Sequence, residues 1–379
     1  MQIFGRRKPV NARTDDRVSH DVFDAKVRRA VSTALVVVII VVAAVAGVGG
    51  YYAYTSLSHP SSALAQLKIG SSTSTTVGGL VAIAQAEGFF KQEGINASIT
   101  YFQSGAAETS AIASNQIPVG ISGATPFLSM ATGGVPVVLI ATAYKPTATH
   151  FLIVRASLNV TSPQQLEGLK LGLPFGSDAQ YLTYAFFKQF NISVSKVQLV
   201  NLQPANLVTA YRQGQIDGIS FLWVPPVRQA IQAVPSTIIA QNNESFFGGV
   251  AEPLNLTHYG AIFVRTDWLK QNPQAAVAFL KAMALATQFV NNPANYNRSI
   301  QDIATAINAP ASSVAADFSG LVFQVSITPS VAAAYQNEVN LMYSAGVFKS
   351  SINVGQYIYT QPLSQVDSSY VTYQGGYAP

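Results

Sequence analysis

Small polar residues that could hold an anion stand at the end of the predicted strand Lys170–Leu173, where the chain breaks at Gly176 and restarts as a helix from Ser177. A helix start leaves backbone N–H groups unpaired at the positive end of the helix dipole, which favours a bound anion. The ordinary alternative is a turn in which Ser177 only caps the helix. Asp178 decides the chemistry. If its side chain faces away from the ligand, the turn is free to bind an anion. If its side chain points into the cleft, a cationic or amine-bearing ligand is favoured.

Four further predicted strands end in stretches of the same kind. Because ligands of open parallel sheets bind beyond the carboxyl ends of the strands, these stretches are expected to converge on one cleft. Glycine lets the backbone approach a ligand, and serine and threonine supply short hydroxyl donors. The candidate ligand-binding residues are Ser71, Ser72, Ser104, Gly105, Gly123, Ala124, Thr125, Gly176, Ser177, Asp178, Trp223 and His258. Helix capping by the hydroxyls and burial of Trp223 in the core are the alternatives that stay open.

Residues typical of catalysis or metal binding form no recognisable sequence motif. There is no His, Asp or Glu cluster with metal-ligand spacing, no nucleophile elbow, no Walker A loop and no dinucleotide-binding glycine turn. The four histidines are His20 and His59, before the predicted lobes, and His150 and His258, near the predicted crossovers between them. A lone histidine is more often structural than a ligand contact. Candidate cationic partners of an anion are Lys145, Arg155 and Arg228. We therefore predict no enzyme activity, no cofactor and no metal.

Predicted strands alternate with predicted helices along most of the chain, which indicates an α/β fold with two lobes. The strands are predicted at Leu67–Ser71, Ile95–Tyr101, Pro118–Ser122, Val135–Ala143, Lys170–Leu173, Val197–Leu202, Gly218–Trp223 and Tyr259–Arg265. Helices are predicted at Gly78–Phe90, Ala106–Ser114, Pro126–Thr132, Pro163–Leu169, Ala179–Phe190, Ala205–Gln213, Pro226–Ala233, Pro273–Val290 and Val331–Ser344. The apolar run Val135–Ala143 is typical of a parallel strand buried on both faces, and His150–Val154 is expected to cross between the lobes.

An uncharged apolar run at Val31–Gly50 is long enough to cross a membrane as a helix. Eight Lys and Arg residues precede it and the next cation is Lys68, so the N-terminus is expected to stay in the cytoplasm. The small residues at Ala63–Ala65 resemble a signal-peptidase site but lie far beyond the apolar run, which favours an uncleaved anchor. The chain has no Cys, which excludes disulfides and a lipid-modified cysteine.

Charge and glycosylation motifs set the N-terminal segment apart from the rest of the chain. Eight of the 22 Lys and Arg residues and four of the 17 Asp and Glu residues precede residue 51, which leaves a net charge of +1 on the remainder. A nucleic-acid-binding protein would need a clustered basic face, so that class is disfavoured. Charged residues are also scarce, from which we form the hypothesis that the protein works in an acidic habitat. Sequons that fit an exported glycoprotein stand at Asn96, Asn159, Asn191, Asn243, Asn255 and Asn297.

The segment Ala84–Ile95 resembles the A-x-x-x-G-[FY]-F-x-x-x-G-[IL] opening of extracytoplasmic solute-binding proteins for nitrate, sulfonates and taurine, a family with thiamine-precursor-like relatives. Further similar motifs follow in the family's order: Phe102–Gly105, Ile117–Gly120 with Gly123–Pro126, Leu166–Lys170, and Gly214–Gly218 before Trp223. The resemblance covers roughly residues 67–290. It implies a type II periplasmic-binding-protein fold, in which two α/β lobes joined by two crossovers close over a small solute and pass it to an ABC permease.

Two departures from the family's pattern bear on the function. Members often carry an acidic residue after the tryptophan that corresponds to Trp223, whereas Val224 and two prolines follow here, so a taurine-like ligand is put in doubt. The cysteines and histidines of the thiamine-precursor-making relatives do not occur in this chain, which disfavours that enzymatic branch. The alternatives are a surface enzyme of the same fold, a lyase or decarboxylase acting on a small metabolite, and a structural or sensory surface protein that binds no solute.

The resulting prediction is a membrane-anchored, single-pass, monomeric receptor of an ABC importer whose bulk lies outside the cell. It captures a small anionic or zwitterionic solute, such as nitrate, a sulfonate, taurine or a pyrimidine, and has no nucleic acid as a partner. Its predicted segments are a cytoplasmic basic tail at 1–30, a transmembrane anchor or signal segment at 31–54, a linker at 55–66, a first lobe at 67–154 plus 255–345, a second lobe at 155–254 and a C-terminal extension at 346–379.

Overall fold

The structure, a computed structural model, describes residues 64–145, 148–254, 256–318, 321–374 and 376–378, all within the compact unit Ala63–Pro379. The predicted cytoplasmic tail, the predicted membrane segment and most of the predicted linker lie outside these residues. Within the described ranges, no helix is both long and apolar enough to cross a bilayer. The fold is an α/β fold with two sheets, as the sequence predicts.

Strands and helices alternate through most of the described chain. The strands are β1 (Ala65–Ser72), β2 (Ile95–Phe102), β3 (Val119–Gly123), β4 (Val137–Thr142), β5 (His150–Arg155), β6 (Lys170–Leu173), β7 (Gln198–Asn201), β8 (Gly218–Trp223), β9 (Ser236–Gln241), β10 (Glu244–Ser245), β11 (Glu252–Pro253) and β12 (Gly260–Arg265). The helices are α1 (Val77–Ala86), α2 (Phe89–Gln92), α3 (Gly105–Ala113), α4 (Ala124–Thr132), α5 (Asp178–Gln189), α6 (Pro204–Arg212), α7 (Pro226–Ala233), α8 (Thr266–Gln271), α9 (Pro273–Val290), α10 (Tyr296–Ala306), α11 (Ala311–Phe318), α12 (Pro329–Ser344) and α13 (Gln361–Val366).

Each lobe is built on one mixed sheet. The first has the strand order β2-β1-β3-β12-β4, in which β1 runs parallel to β2 and β3 while β12 returns antiparallel to β3 and β4. The second has the order β11-β10-β9-β5-β8-β6-β7, in which β6 runs parallel to β7 and β8 while β5 is antiparallel to β8 and β9. Every residue of β4, β8 and β12 is buried, so these strands lack the polar and apolar alternation of a half-exposed strand.

Four predictions about the elements are wrong in part. The helix predicted at Pro163–Leu169 is a short 3₁₀ helix at Pro163–Leu166. The apolar run at Val135–Ala143 does form a buried strand, but β4 is antiparallel to its neighbour β12. His150–Val154 does not cross between the lobes and lies in β5, between β8 and β9. A short apolar run cannot be assigned by periodicity alone, which explains this error. The helix predicted at Gly78–Phe90 is two helices, because Gly88 adopts a left-handed conformation with φ 74°. The remaining lobe boundaries stay predictions.

Two crossovers and one helix connect the lobes. The chain passes from the first sheet to the second between β4 and β5 and returns between β11 and β12. The return confirms the prediction that the strand near Tyr259–Arg265 carries the chain back to the first lobe. Helix α12 packs against α4 of the first lobe and also against α5 of the second. The relative position of the lobes therefore depends on three separate parts of the chain.

The predicted C-terminal extension packs on the first lobe. Ile358 is fully buried and pairs with Leu139 of β4 in a parallel bridge, where the Tyr359 backbone N–H donates to the Leu139 carbonyl at 2.8 Å. A second parallel bridge joins Val371 to Ile327. The extension therefore adds backbone hydrogen bonds to the side of β4 that does not face β12.

Glu108 of α3 is a carboxyl group in the core of the first lobe. It is 0% exposed, and its Oε1 accepts a hydrogen bond from the Ile121 backbone N–H at 3.0 Å. Its Oε2 has no partner within the described part of the chain. Burial raises the pKa of Glu108 to about 8. The group is therefore protonated in the folded protein at pH values where the unfolded chain has already lost the proton.

We predict that the free energy of unfolding falls as the pH rises from about 5 to about 8, and that Glu108→Gln removes part of this fall. The folded pKa lies above the unfolded value, so the folded state holds more protons and each rise in pH favours unfolding, by at most about 1.4 kcal/mol per pH unit. Chemical denaturation across this window measures both proteins. Glu252→Gln, at an exposed position, serves as the matched control. A difference between wild type and Glu108→Gln that stays constant with pH would contradict the prediction.

Candidate ligand-binding site

A small cavity lies between the two sheets, where the carboxyl ends of several strands meet. The cavity has a volume of about 30 Å³, which is enough for about two water molecules. The first lobe contributes Ser72, Ser74, Thr76, Val77, Gly105, Ser122, Gly123 and Pro126, and the second contributes His150, Ser177, Asp178 and Trp223. Both lobes build the walls, so we call this cavity the cleft.

Four helices begin at the cleft. α1 begins at Val77, α3 at Gly105, α4 directly after Gly123 and α5 at Asp178, and all four of these residues line the cleft. The first N–H groups of a helix have no intrahelical partner and carry the positive end of its dipole. Among these described helices, none has an N-cap side chain that accepts a hydrogen bond from them. The helix starts therefore make the cleft attractive for a negatively charged group.

The carboxylate of Asp178 crosses the cleft from the second lobe to the first. Its Oδ1 accepts a hydrogen bond from the Thr125 backbone N–H at 3.0 Å, at the second residue of α4. A β-carbon built on Gly123 would lie 1.5 Å from Asp178 Oδ2, so only glycine leaves room for the carboxylate. The side chain therefore points into the cleft and occupies one of the four helix starts. Of the two orientations considered from the sequence, this is the one that favours an amine-bearing or cationic ligand.

Two buried carboxyl groups, one of them Asp178, lie in or beside the lining of the cleft. Glu338 of α12 accepts a hydrogen bond from the Thr125 hydroxyl and is buried near Asp178. Burial raises the pKa of both carboxyl groups, and repulsion by Asp178 raises that of Glu338 further. Neither Lys nor Arg is among the described residues that line the cleft. A bound cation would therefore stabilise the ionised form of Asp178.

Two histidines lie beside Asp178. The rings of His150 and His258 meet edge to face with centroids 4.5 Å apart. One side-chain nitrogen or oxygen from each of the three residues lies within 4.8 Å of the other two. Burial lowers the pKa of both histidines, and the neighbouring His258 lowers that of His150 further. Both imidazoles are therefore neutral at pH 7 and can each offer a lone pair.

Three buried polar atoms at or beside the cleft have no hydrogen-bond partner among the described residues. They are Trp223 Nε1, Ser104 Oγ and His258 Nδ1. Buried polar groups in native proteins are nearly always paired, because leaving one unpaired costs about 1–3 kcal/mol. Trp223 lines the cleft, and Ser104 directly precedes the cleft residue Gly105. These atoms are the ones that a bound ligand would be expected to pair.

Half of the predicted ligand-binding residues line the cleft, namely Ser72, Gly105, Gly123, Ser177, Asp178 and Trp223. The other half lie next to lining residues or to Asp178, namely Ser71, Ser104, Ala124, Thr125, Gly176 and His258. Contact of any of these residues with a ligand stays a prediction.

Some of these residues already have partners within the protein. The Ser177 hydroxyl donates to the Pro174 carbonyl at 2.6 Å and does not cap α5, contrary to the ordinary alternative. The Ser71 hydroxyl donates to the Ile121 carbonyl at 3.0 Å, and the Gly176 N–H donates to Gln180 Oε1 at 2.8 Å. The hydroxyl of Ser71 and the N–H of Gly176 therefore hold the turns in shape.

Sequence reasoning did not select several residues that line the cleft, namely Ser74, Thr76, Val77, Ser122, Pro126 and His150. Ser74 and Thr76 belong to the same polar turn as Ser72, and extending the choice along that turn would have found them. No local sequence pattern marks His150 as a residue of the cleft, because its neighbours Asp178 and His258 are distant in sequence.

Two of the three cations considered from the sequence, Arg155 and Arg228, have partners away from the cleft. Arg228 of α7 forms an ion pair with Asp317 of α11, which joins the second lobe to helices packed on the first. The Thr75 hydroxyl donates to the other oxygen of Asp317 at 3.1 Å. Arg155 donates to the Tyr211 carbonyl and lies over the Tyr211 ring. Neither arginine lines the cleft.

The known proteins that are similar to this chain include several binding proteins. The taurine-binding periplasmic protein of Escherichia coli (strain K12) is 29% identical over 213 residues, which cover 56% of this chain and 63% of that protein. The aligned region thus spans less than two thirds of that relative. Among solved structures, the alkanesulfonate-binding protein SsuA from Xanthomonas axonopodis pv. citri, bound to MOPS, is similar with a TM-score of 0.67 and 17% identity, covering 78% of this chain and 98% of that one.

The periplasmic nitrate-binding protein NrtA from Synechocystis PCC 6803 is also similar, with a TM-score of 0.65 and 14% identity over 81% of this chain and 89% of that one. At these identities the two structures show a shared fold, the two-lobed fold of periplasmic binding proteins. The family described as NMT1/THI5 like matches residues 76–295, more than half of the chain. The resemblance noted in the sequence is therefore confirmed, and the chain belongs to the NMT1/THI5-like family.

Proposed function

We propose that this protein is the extracytoplasmic solute-binding component of an ABC importer and that it captures a small zwitterion, an aminosulfonate such as taurine, in the cleft. The observation that carries the proposal is the combination of four helix starts and one buried carboxylate in the lining of a single cavity. Membership in the family and the similarity to a taurine-binding protein support the same class of solute.

The anionic group of the solute is assigned to the helix starts of the first lobe. The hydroxyls of Ser72, Ser74 and Thr76 form a chain with oxygen separations of 2.9 and 3.1 Å, and each hydroxyl can reorient to donate to a ligand. Trp223 Nε1 and Ser104 Oγ lack partners within the described residues and add two further donors. A sulfonate has three acceptor oxygens to share among these groups.

The amino group of the solute is assigned to Asp178. A nitrate ion alone would bring a second negative charge beside the Asp178 carboxylate, which is unfavourable in a buried site. An ammonium group would instead form a charge-assisted hydrogen bond. The residue after Trp223 is not acidic, but a carboxylate supplied by α5 removes that objection to a taurine-like solute.

Binding requires the present contacts across the cleft to rearrange. The cavity is smaller than a solute of this class, and Asp178 occupies the start of α4. We infer an exchange in which the solute's anionic group replaces the Asp178 carboxylate at the helix starts while the amine pairs with the released carboxylate. A solute that contacts both lobes favours the closed arrangement, with the two crossovers as hinges.

The remaining parts of the proposal rest on the sequence. The apolar segment within 31–54 would anchor the protein to the membrane as a single span, and the lobes outside would act as a monomer. The solute would be delivered to an ABC permease, and the sequons would permit glycosylation. The anchor lies outside the described residues.

We expect taurine to bind to the full chain, stripped of metal with EDTA, at least about tenfold more tightly than ethanesulfonate, which has the sulfonate but lacks the amine. A charge-assisted hydrogen bond is worth about 1.5–3 kcal/mol, and 1.4 kcal/mol is a factor of ten in the dissociation constant. Isothermal titration measures both affinities. Asp178→Asn should reduce this preference, because it removes the charge that faces the amine. Equal affinities for the two solutes, or tighter nitrate binding, would rule out the assignment of the amine.

We expect Gly123→Ala and Ser177→Trp each to weaken taurine binding by at least about tenfold. The first places a methyl group at the start of α4, where the solute's anionic group is assigned after it replaces the Asp178 carboxylate, and the second fills the cleft. Ser193→Trp makes the same change at an exposed position of the second lobe and is expected to leave the affinity unchanged. Titration with taurine, together with the melting temperature as a check on folding, measures all three. Wild-type affinity in a folded Ser177→Trp variant would show that the solute binds elsewhere.

A further inference from the structure

We propose that His150, Asp178 and His258 form a binding site for one divalent transition-metal ion, with Zn²⁺ as the expected ion, at the junction of the two lobes. The proposal goes beyond the proposed function, because it concerns an ion that can bind without any solute. It arises from three side chains that are distant in sequence and that the fold brings together.

The geometry brings three possible ligand atoms together. One nitrogen or oxygen of each residue lies within 4.8 Å of the other two, and all three side chains are buried. Two imidazole nitrogens and one carboxylate oxygen form a ligand set typical of Zn²⁺ or Fe²⁺ sites that keep a position open for water or a further ligand. Mg²⁺ and Ca²⁺ prefer all-oxygen ligands, so they are not expected here.

Hydrogen bonds already select the nitrogens that could coordinate. His258 Nε2 lies 3.0 Å from the Tyr144 hydroxyl, which leaves Nδ1, a buried atom without a partner among the described residues. His150 Nδ1 lies 3.1 Å from the Thr149 hydroxyl, which leaves Nε2. A metal-bound histidine usually donates its other N–H to a neighbouring oxygen, which fixes the ring and its tautomer. Both histidines therefore have the outer partner that a metal site needs.

The surrounding charge also favours a cation. Asp178 and Glu338 are buried close together, and neither Lys nor Arg is among the described residues of the cleft lining. A divalent ion would stabilise the ionised form of Asp178. The Thr125 N–H that donates to Asp178 Oδ1 would orient the carboxylate, in the same way as the partners of the two histidines.

The positions of the three residues in the fold predict an effect on the lobes. His150 directly follows the first crossover, His258 lies in the second, and Asp178 begins α5 of the second lobe. One bound ion would therefore tie both crossovers to α5 and stabilise the closed arrangement. It would also engage the carboxylate that the proposed function assigns to the solute's amine, so the ion and taurine are expected to compete.

The test is titration of the full chain, stripped of metal with EDTA, with ZnCl₂ in the absence of solute. We expect one binding event whose affinity falls at least about a hundredfold in His150→Gln, His258→Gln and Asp178→Asn. The double variant His20→Gln/His59→Gln changes the other two histidines and should bind as the wild type does. Co²⁺ in place of Zn²⁺ should give visible absorption bands that disappear in His258→Gln.

A second variant keeps the test decisive if the ligand substitutions impair folding. Tyr144→Phe removes only the outer partner of His258 and should weaken Zn²⁺ binding about 10- to 100-fold, with a raised melting temperature on saturation with Zn²⁺. No binding by the wild type, or undiminished binding by His150→Gln and His258→Gln, would overturn the proposal. Neither result bears on taurine binding by the EDTA-stripped protein, so the two proposals fail separately.

Discussion

The carboxylate of Asp178 joins the two lobes across the cleft, and the chemistry of the cleft depends on this contact. It leaves the second lobe at the start of α5 and reaches a backbone N–H at the start of α4, over a glycine that has no side chain to obstruct it. A negative group at a helix start is stabilised by the dipole, so the protein's own acid occupies a place that suits an anion. The Asp178 carboxylate thus already pairs with one of the N–H groups at the cleft. A solute that binds at this helix start has to compete with that carboxylate.

This contact also explains why the cleft can be both anion-attracting and acidic. The helix starts provide partial positive charge without a cationic side chain among the described lining residues, while Asp178 provides the carboxylate. Placing the two kinds of group in one small space suits a solute that carries both signs. The neutral imidazoles of His150 and His258 beside Asp178 each offer a lone pair and carry no charge. These lone pairs would allow the site to hold a metal ion.

Much of the fold could be predicted from the sequence, because apolar strand-like runs alternate with helical stretches and are separated by turns of glycine, proline or small polar residues. The predicted boundaries of β6, β8, α7 and α9 agree with the structure. The site was predictable only where a residue belongs to such a turn, as Ser177 and Gly105 do. The cluster of His150, Asp178 and His258 and the approach of Glu338 were not, because β5 and α12 come to the cleft through tertiary packing that no local pattern records.

The C-terminal extension has a consequence for association between chains. An unpaired edge strand presents free N–H and carbonyl groups that can template pairing with another molecule, which is a route to aggregation. The pairing of Ile358 with Leu139, and the hydrogen bond from Tyr359, occupy part of that edge on β4, whose residues are all buried and largely apolar. The segment at Ile358 and Tyr359 thus covers part of the β4 edge of the first sheet and hinders the addition of a strand from another molecule there.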